Sequence, residues 1–189
     1  MTRWHDEGGV VAGEVADSPP VTSAPPARQD VGFDLDARTE LEHFLDFHRA
    51  TVHHKLAGLA DDDAWRRFVP SLTTAAGVVK HLTCVEQYWF RTVLAGTSGP
   101  PLPWTHDPDA DMARGDGETV ESLLAGYAAE CDRSREVAAG LALTDRSVLA
   151  RHGEHPTLRW VLMHMVEETS RHNGHLDIVR ELTDGAVGE

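Results

Sequence analysis

Long apolar runs are missing from this 189-residue chain: none approaches the ~20 residues that a membrane-spanning helix requires. Residues 1–30 also lack the apolar core of a secretory signal, so a cytoplasmic protein is expected. Basic residues are scarce, with 17 Lys plus Arg against 31 Asp plus Glu and a formal net charge of −14. A partner with a phosphate backbone needs clustered cations, so nucleic acid is not expected as a ligand. The chain has only two cysteines, Cys84 and Cys131, without CxxC or zinc-finger spacing, which favours free thiols over a disulfide or a structural metal site. Lysine is confined to Lys55 and Lys80, asparagine to Asn173 and isoleucine to Ile178, a bias that points to a GC-rich bacterial genome and says nothing about folding.

Strand-like alternation is absent as well, and what remains is helical periodicity. Residues 1–32 are rich in Gly, Pro, Ser and Ala and read as a flexible N-terminal tail; Trp4 and His5 are the only anchors it offers. Residues 33–189 read as one domain, large enough to bury a core. A first helix is expected from an Asp34 or Asp36 cap to Gly58, with Leu41, Phe44, Leu45, His48, Val52 and Leu56 on one stripe. A second should run from about Thr74 to Ala95, ending at Gly96, and a third from Thr119 to about Leu141, packing through Val120, Leu123, Leu124, Tyr127, Cys131 and Val137. Between these two lies a connection of about 20 residues rich in Pro, Gly and Asp, a length that is often functional. Its Trp104 and His106 could cover a pocket, while its acidic residues lack the offsets of a calcium loop. Four amphipathic helices predict an all-α, up-and-down-type four-helix bundle.

The last helix, residues 157–182, carries the chemistry. At about 100° per residue, with His164 at zero, His175 falls near 20°, Glu168 near 40° and His172 near 80°. Val161, Val179, Met165 and Leu176 share that arc, whereas Glu167, Ser170, Asn173, Asp177 and Glu181 fill the opposite one. A carboxylate among imidazoles on a buried face is costly unless it is paired, hydrogen-bonded or bound to a metal. His81, on the Val78/Val85/Trp89 stripe of the second helix, is the best completing residue. His81, Glu168 and His172 then form a ligand set that a divalent transition metal accepts with a position left open. Without a metal, the same residues read as a hydrogen-bonded core network. The spacing is not that of H-E-x-x-H zinc peptidases, and Cys84 points about 60° away from His81. His48, His53 and His54 read as core or surface residues.

The segments KHLTCVEQYWFRTVLAG and LRWVLMHMVEETSRHNGHLDIVRELTDGAVGE resemble the DinB-like bundle superfamily, in its actinobacterial mini-circle branch, from about residue 34 to the C-terminus. The resemblance implies a metal centre on His81, Glu168 and His172 with a divalent ion, zinc first and nickel or another ion as alternatives. The glutamate variant is similar to mycothiol-dependent metalloenzymes. It implies a metal-dependent thiol S-transferase, or a thiol-assisted isomerase, acting on a small electrophile with mycothiol as cosubstrate. His175, His164 and Trp104 would then line the substrate site, and a homodimer is compatible with such bundles. The alternatives are a metal-dependent hydrolase and a non-catalytic protein that sequesters a metal or small molecule.

Overall fold

The computed structural model describes residues 26–97, 99–105, 107 and 109–188; Trp4, His5 and His106 lie outside them. Helix α1 spans Ala37–Leu56 and is capped by Asp36, whose carboxylate accepts from the backbone N–H of Arg38 and Thr39. A single turn, α2, occupies Asp61–Ala64. Helix α3 spans Ala75–Glu86 behind a Thr74 cap and continues as a π-helical run over Gln87–Leu94. Helix α4, Val120–Ala139, starts in a reciprocal Thr119/Ser122 capping box. Helix α5 spans Leu158–Asp184, capped by Thr157 and stopped by Gly185 in the left-handed region at φ 79°. All four expected long helices are present, with ends within a few residues of the capping signals.

The direction of the helices is decided by which side chains meet. Asn173 of α5 donates to the carbonyl of His48, and Lys55, further along α1, pairs with Asp177, so α1 and α5 run parallel. Gly77 meets Met112, just ahead of α4, and Arg91 pairs with Glu130, so α3 and α4 are parallel too. Arg38 reaches the carbonyls of Ala138 and Leu141 while Asp46 meets Arg135, which makes α1 and α4 antiparallel. The all-α four-helix bundle therefore runs up, down, down, up instead of strictly alternating. The long connection, residues 95–119, returns the chain to the end where α3 began.

Two apolar clusters form the core. Leu45, Phe90, Leu94, Leu158, Leu162 and Met165 lead one, and Val52, Leu56, Val79, Leu82, Tyr127 and Leu176 lead the other. Each fully buried large side chain contributes about 1.5–3 kcal/mol. Charge is buried with them, which an apolar stripe does not predict. Arg49 donates from Nε and Nη2 to the two carboxylate oxygens of Glu86, both at 2.7 Å, with Glu86 wholly inaccessible. Asp46 accepts from the remaining Arg49 nitrogen at 3.0 Å. The α1–α4 seam is open, and residues from Pro26 to Leu35 line a cavity of about 660 Å³ there, together with His43, Asp46 and Arg135.

Removing one partner of the Arg49–Glu86 pair would leave an uncompensated charge in the core. We expect Arg49→Ala to destabilise the fold by about 3–5 kcal/mol. Urea unfolding followed by circular dichroism checks this, and a loss below about 1 kcal/mol would show that water reaches Glu86.

Candidate metal centre

Helices α3 and α5 run antiparallel past each other, since His81 meets Glu168 while Trp89, further along α3, meets Trp160 near the start of α5. Where they cross, the Oε1 atom of Glu168 lies 3.3 Å from His81 Nε2 and 3.2 Å from His172 Nε2. These three residues are the ones among the described residues whose donor atoms gather closely enough for a metal, all within 4.8 Å of one another. Metal bonds of about 2.0–2.1 Å at the tetrahedral angle separate neighbouring donors by about 3.3 Å, which the two distances to Glu168 match.

The other ring nitrogens are engaged. His81 Nδ1 is 2.7 Å from Oδ2 of Asp111, and His172 Nδ1 is 3.4 Å from Nδ1 of His175. A neutral His81 that donates its Nδ1–H to Asp111 turns the Nε2 lone pair toward the Glu168 carboxylate, and His172 does the same if it donates to His175. Three acceptor atoms then converge, an arrangement that is repulsive until a proton or a cation sits among them. Where a proton sits there instead, on the inward-facing nitrogens, hydrogen bonds from His172 and then His81 hold Glu168 well below the ordinary carboxylate range. Burial opposes protonation of His81, but its bonds to Glu168 and Asp111 outweigh this, and the imidazole is held above its ordinary value. The donor set fits a divalent cation.

The residues singled out beside the trio fall at different depths. His175 is exposed on the far side of His172. His164, one turn before Glu168, is packed between Trp89 and Trp160 at ring distances of 4.8 and 5.1 Å and does not join the trio. Trp104, on a short 3-10 turn, lies 6.2 Å from the His81 ring and forms one wall of the site. The wheel placed Asn173 on the polar arc, but it is buried because its amide donates to the His48 carbonyl on α1. The buried stripe of α5 runs through Leu158, Leu162, Met165, Thr169 and His172, while Glu168, half-buried, lies at its margin, where the site meets solvent.

Asp111 was not singled out as a site residue, since periodicity cannot say where an irregular connection returns. Only 3 % exposed, it is brought in by a close approach of the connection to α3. A Cβ on Gly77 would stand 2.9 Å from the carbonyl oxygen of Met112, so glycine is needed there. Lys80 secures the same stretch by bonding the Ala113 carbonyl and Glu118.

Cys84 stays outside the cluster, and burial, then the nearby Asp111 charge, push its thiol up to about 12. Burial likewise raises Cys131. We expect alkylation of both thiols at pH 8 to be at least about tenfold slower than that of a free cysteine peptide until the protein is unfolded. Peptide-like labelling of Cys84 in the native protein would contradict its environment.

A search of curated proteins returned no match. The mycothiol S-transferase family does match, over residues 40–185, an interval that runs from the first turn of α1 to the Gly185 cap of α5 and includes His81, Asp111, Glu168 and His172. With more than three quarters of its length in that match, the chain belongs to the mycothiol S-transferase family.

Proposed function

We propose that the protein is a metal-dependent mycothiol S-transferase in which His81, Glu168 and His172 hold a divalent cation, zinc first, and that the mycothiol thiol is delivered there to a small electrophile. The observation that carries this reading is the convergence of three acceptor atoms whose orienting nitrogens are already engaged by Asp111 and His175. A divalent cation bound there lowers the pKa of a coordinating thiol and keeps it as the nucleophilic thiolate at neutral pH.

The chain's own residues set the conditions for that chemistry. Asp111 fixes the tautomer and the ring plane of His81, as a hydrogen-bonded carboxylate does for ligating histidines generally. His175 does so for His172 when it accepts from His172 Nδ1, and it is itself exposed to bulk water. The Trp104 ring limits water on one side. The side chains of His81, Glu168 and His172 retain 21, 13 and 11 % exposure, so a small molecule can reach them, as a transferase requires and a sealed storage site does not. Among the described residues the trio itself contains no serine or cysteine, and Cys84, outside it, is held as a thiol.

Elemental analysis of the purified protein should find about one divalent ion per chain. His172→Ala should lose it, with affinity reduced on the order of 100-fold or more and helicity kept. On the cobalt-substituted protein, mycothiol should raise a thiolate charge-transfer band. Metal retained by His172→Ala would remove the trio, and metal without a thiol band would move the reading to hydrolysis or sequestration. Asp111→Ala should weaken metal binding by about 10–100-fold, the usual effect of losing a ligand's hydrogen-bond partner. A chelator competition titration reads this directly.

A further inference from the structure

A second concavity, of about 380 Å³, opens at the end of the bundle where α5 begins, with Trp89, Pro156 and Trp160 as its apolar surface and Arg146, Arg151, Glu154 and His155 on its rim. Its size is in the lower part of the ~300–1,000 Å³ range of small-molecule sites. Trp160 is half exposed although it is an indole, with the His164 ring stacked on it at 5.1 Å and 20° and Trp89 beside it at 5.3 Å. Four basic groups, Arg146, Arg151, His152 and His155, gather here against a single Glu154, in a chain whose net charge is −14.

The rim is rigid. Arg151 and Glu154 exchange backbone hydrogen bonds at 2.7 and 3.0 Å around His152 and Gly153, whose φ values of 51° and 83° make a two-residue turn of the type that joins hairpins. His155 Nδ1 meets the Ser147 carbonyl at 2.7 Å, and Val148 and Leu149 bond back to the carbonyls of Leu94 and Val93 at the end of α3. A Cβ on Gly96 would lie 2.5 Å from a Val148 methyl, so the close seating of this loop depends on that glycine. Side chains on such a platform are pre-organised for a ligand.

Two files of rings connect this concavity to the trio. On one side Arg151 lies over Tyr88 at 5.7 Å, Tyr88 meets Trp104 at 6.2 Å, and Trp104 meets His81 at 6.2 Å. On the other, Trp89 contacts His164 at 4.8 Å, one helical turn before Glu168. From Trp160 to Glu168 the rise along α5 is about 12 Å.

Building on the proposed thiol reading, we infer that this concavity seats the glucosaminyl-inositol head group of mycothiol while its thiol lies at the trio. Mycothiol is an N-acetylated cysteine joined by an amide to glucosamine, which is linked in turn to inositol. About eight bonds separate its sulfur from the first inositol carbon, roughly 10 Å when extended. That reach matches the spacing between the trio and the indole pair. The head group is an uncharged polyol whose sugar ring has an apolar C–H face, suited to an indole, and an edge of hydroxyls that needs both donors and acceptors. The exposed Trp160 indole, with buried Trp89 beside it, offers the first, and Arg146, Arg151, His155 and Glu154 the second. The seat also gives a reason for the family's thiol to be this one: a thiol without a head group would reach the trio and leave Trp160 uncovered.

The test uses the full chain with its metal and three probes: mycothiol, N-acetylcysteine, which has the thiol alone, and N-acetylglucosaminyl-inositol, which has the uncharged head group alone. Calorimetry should show Trp160→Ala weakening mycothiol by about tenfold or more and abolishing head-group binding, with N-acetylcysteine affinity and metal content unchanged. Arg151→Ala removes an exposed side chain, cannot be confused with a folding defect, and should weaken the same two probes. Wild-type affinity for mycothiol in both variants would overturn the inference and leave the thiol-transfer reading intact. Head-group binding without any thiolate band on the cobalt protein would do the reverse. Maleate binding that is lost in both variants while mycothiol binding is kept would assign the concavity to an anionic electrophile and also overturn the inference.

Discussion

Arg49 and Glu86 are taken out of water in the middle of the bundle, and each is tolerable there only because the other supplies two parallel hydrogen bonds. A bidentate pair permits almost no sliding, so it fixes α3 against α1. The same α3 carries His81, little more than a turn before Glu86, toward α5. Helix α5 is fixed against α1 by polar contacts too, through Asn173 to the His48 carbonyl and Lys55 to Asp177. The relative position of His81 and the Glu168/His172 pair is thus set from two sides by α1, which contributes none of the three. Apolar packing supplies most of the stability, but it tolerates small shifts that a metal site would not.

The centre itself is an arrangement of acceptors. Glu168 stands between two imidazoles whose outer nitrogens are taken by Asp111 and His175, and this selects the tautomers that face inward. One of those orienting groups comes from the long connection, held to α3 by the absence of a side chain at Gly77 and by Lys80. That connection does two things at once. It reverses the expected direction of α4, and it delivers a buried carboxylate and an indole to the candidate centre formed by His81, Glu168 and His172.

The π-helical run at the end of α3 has a related effect. Widening the helix over Gln87–Leu94 lets Trp89, Phe90, Val93 and Leu94 all be buried while Tyr88 turns toward Trp104. An aromatic wall follows from the trio to the start of α5, where basic side chains held by a tight two-residue turn form the rim. Family membership and the acceptor cluster agree on a small thiol as the partner.

Helical periodicity and capping residues alone determined the four helices and most of their ends, because Asp36, Thr74, Thr119, Thr157 and Gly185 act through bonds to their own neighbours. They also determined which of α5's histidines share a face with Glu168, since 3.6 residues per turn is a local property. The choice of His81 as the third member could be read as well, from its place on an apolar stripe. Tertiary structure alone decided that His164 packs between indoles instead of joining the trio, that Asn173 is buried, that Arg49 and Glu86 form the central pair, and that Asp111 reaches His81 from 30 positions along the chain. A wheel treats polarity as exposure and each helix as isolated. Whether a polar group is buried depends on a partner from another helix or loop, and that partner is specified only when the chain has closed on itself.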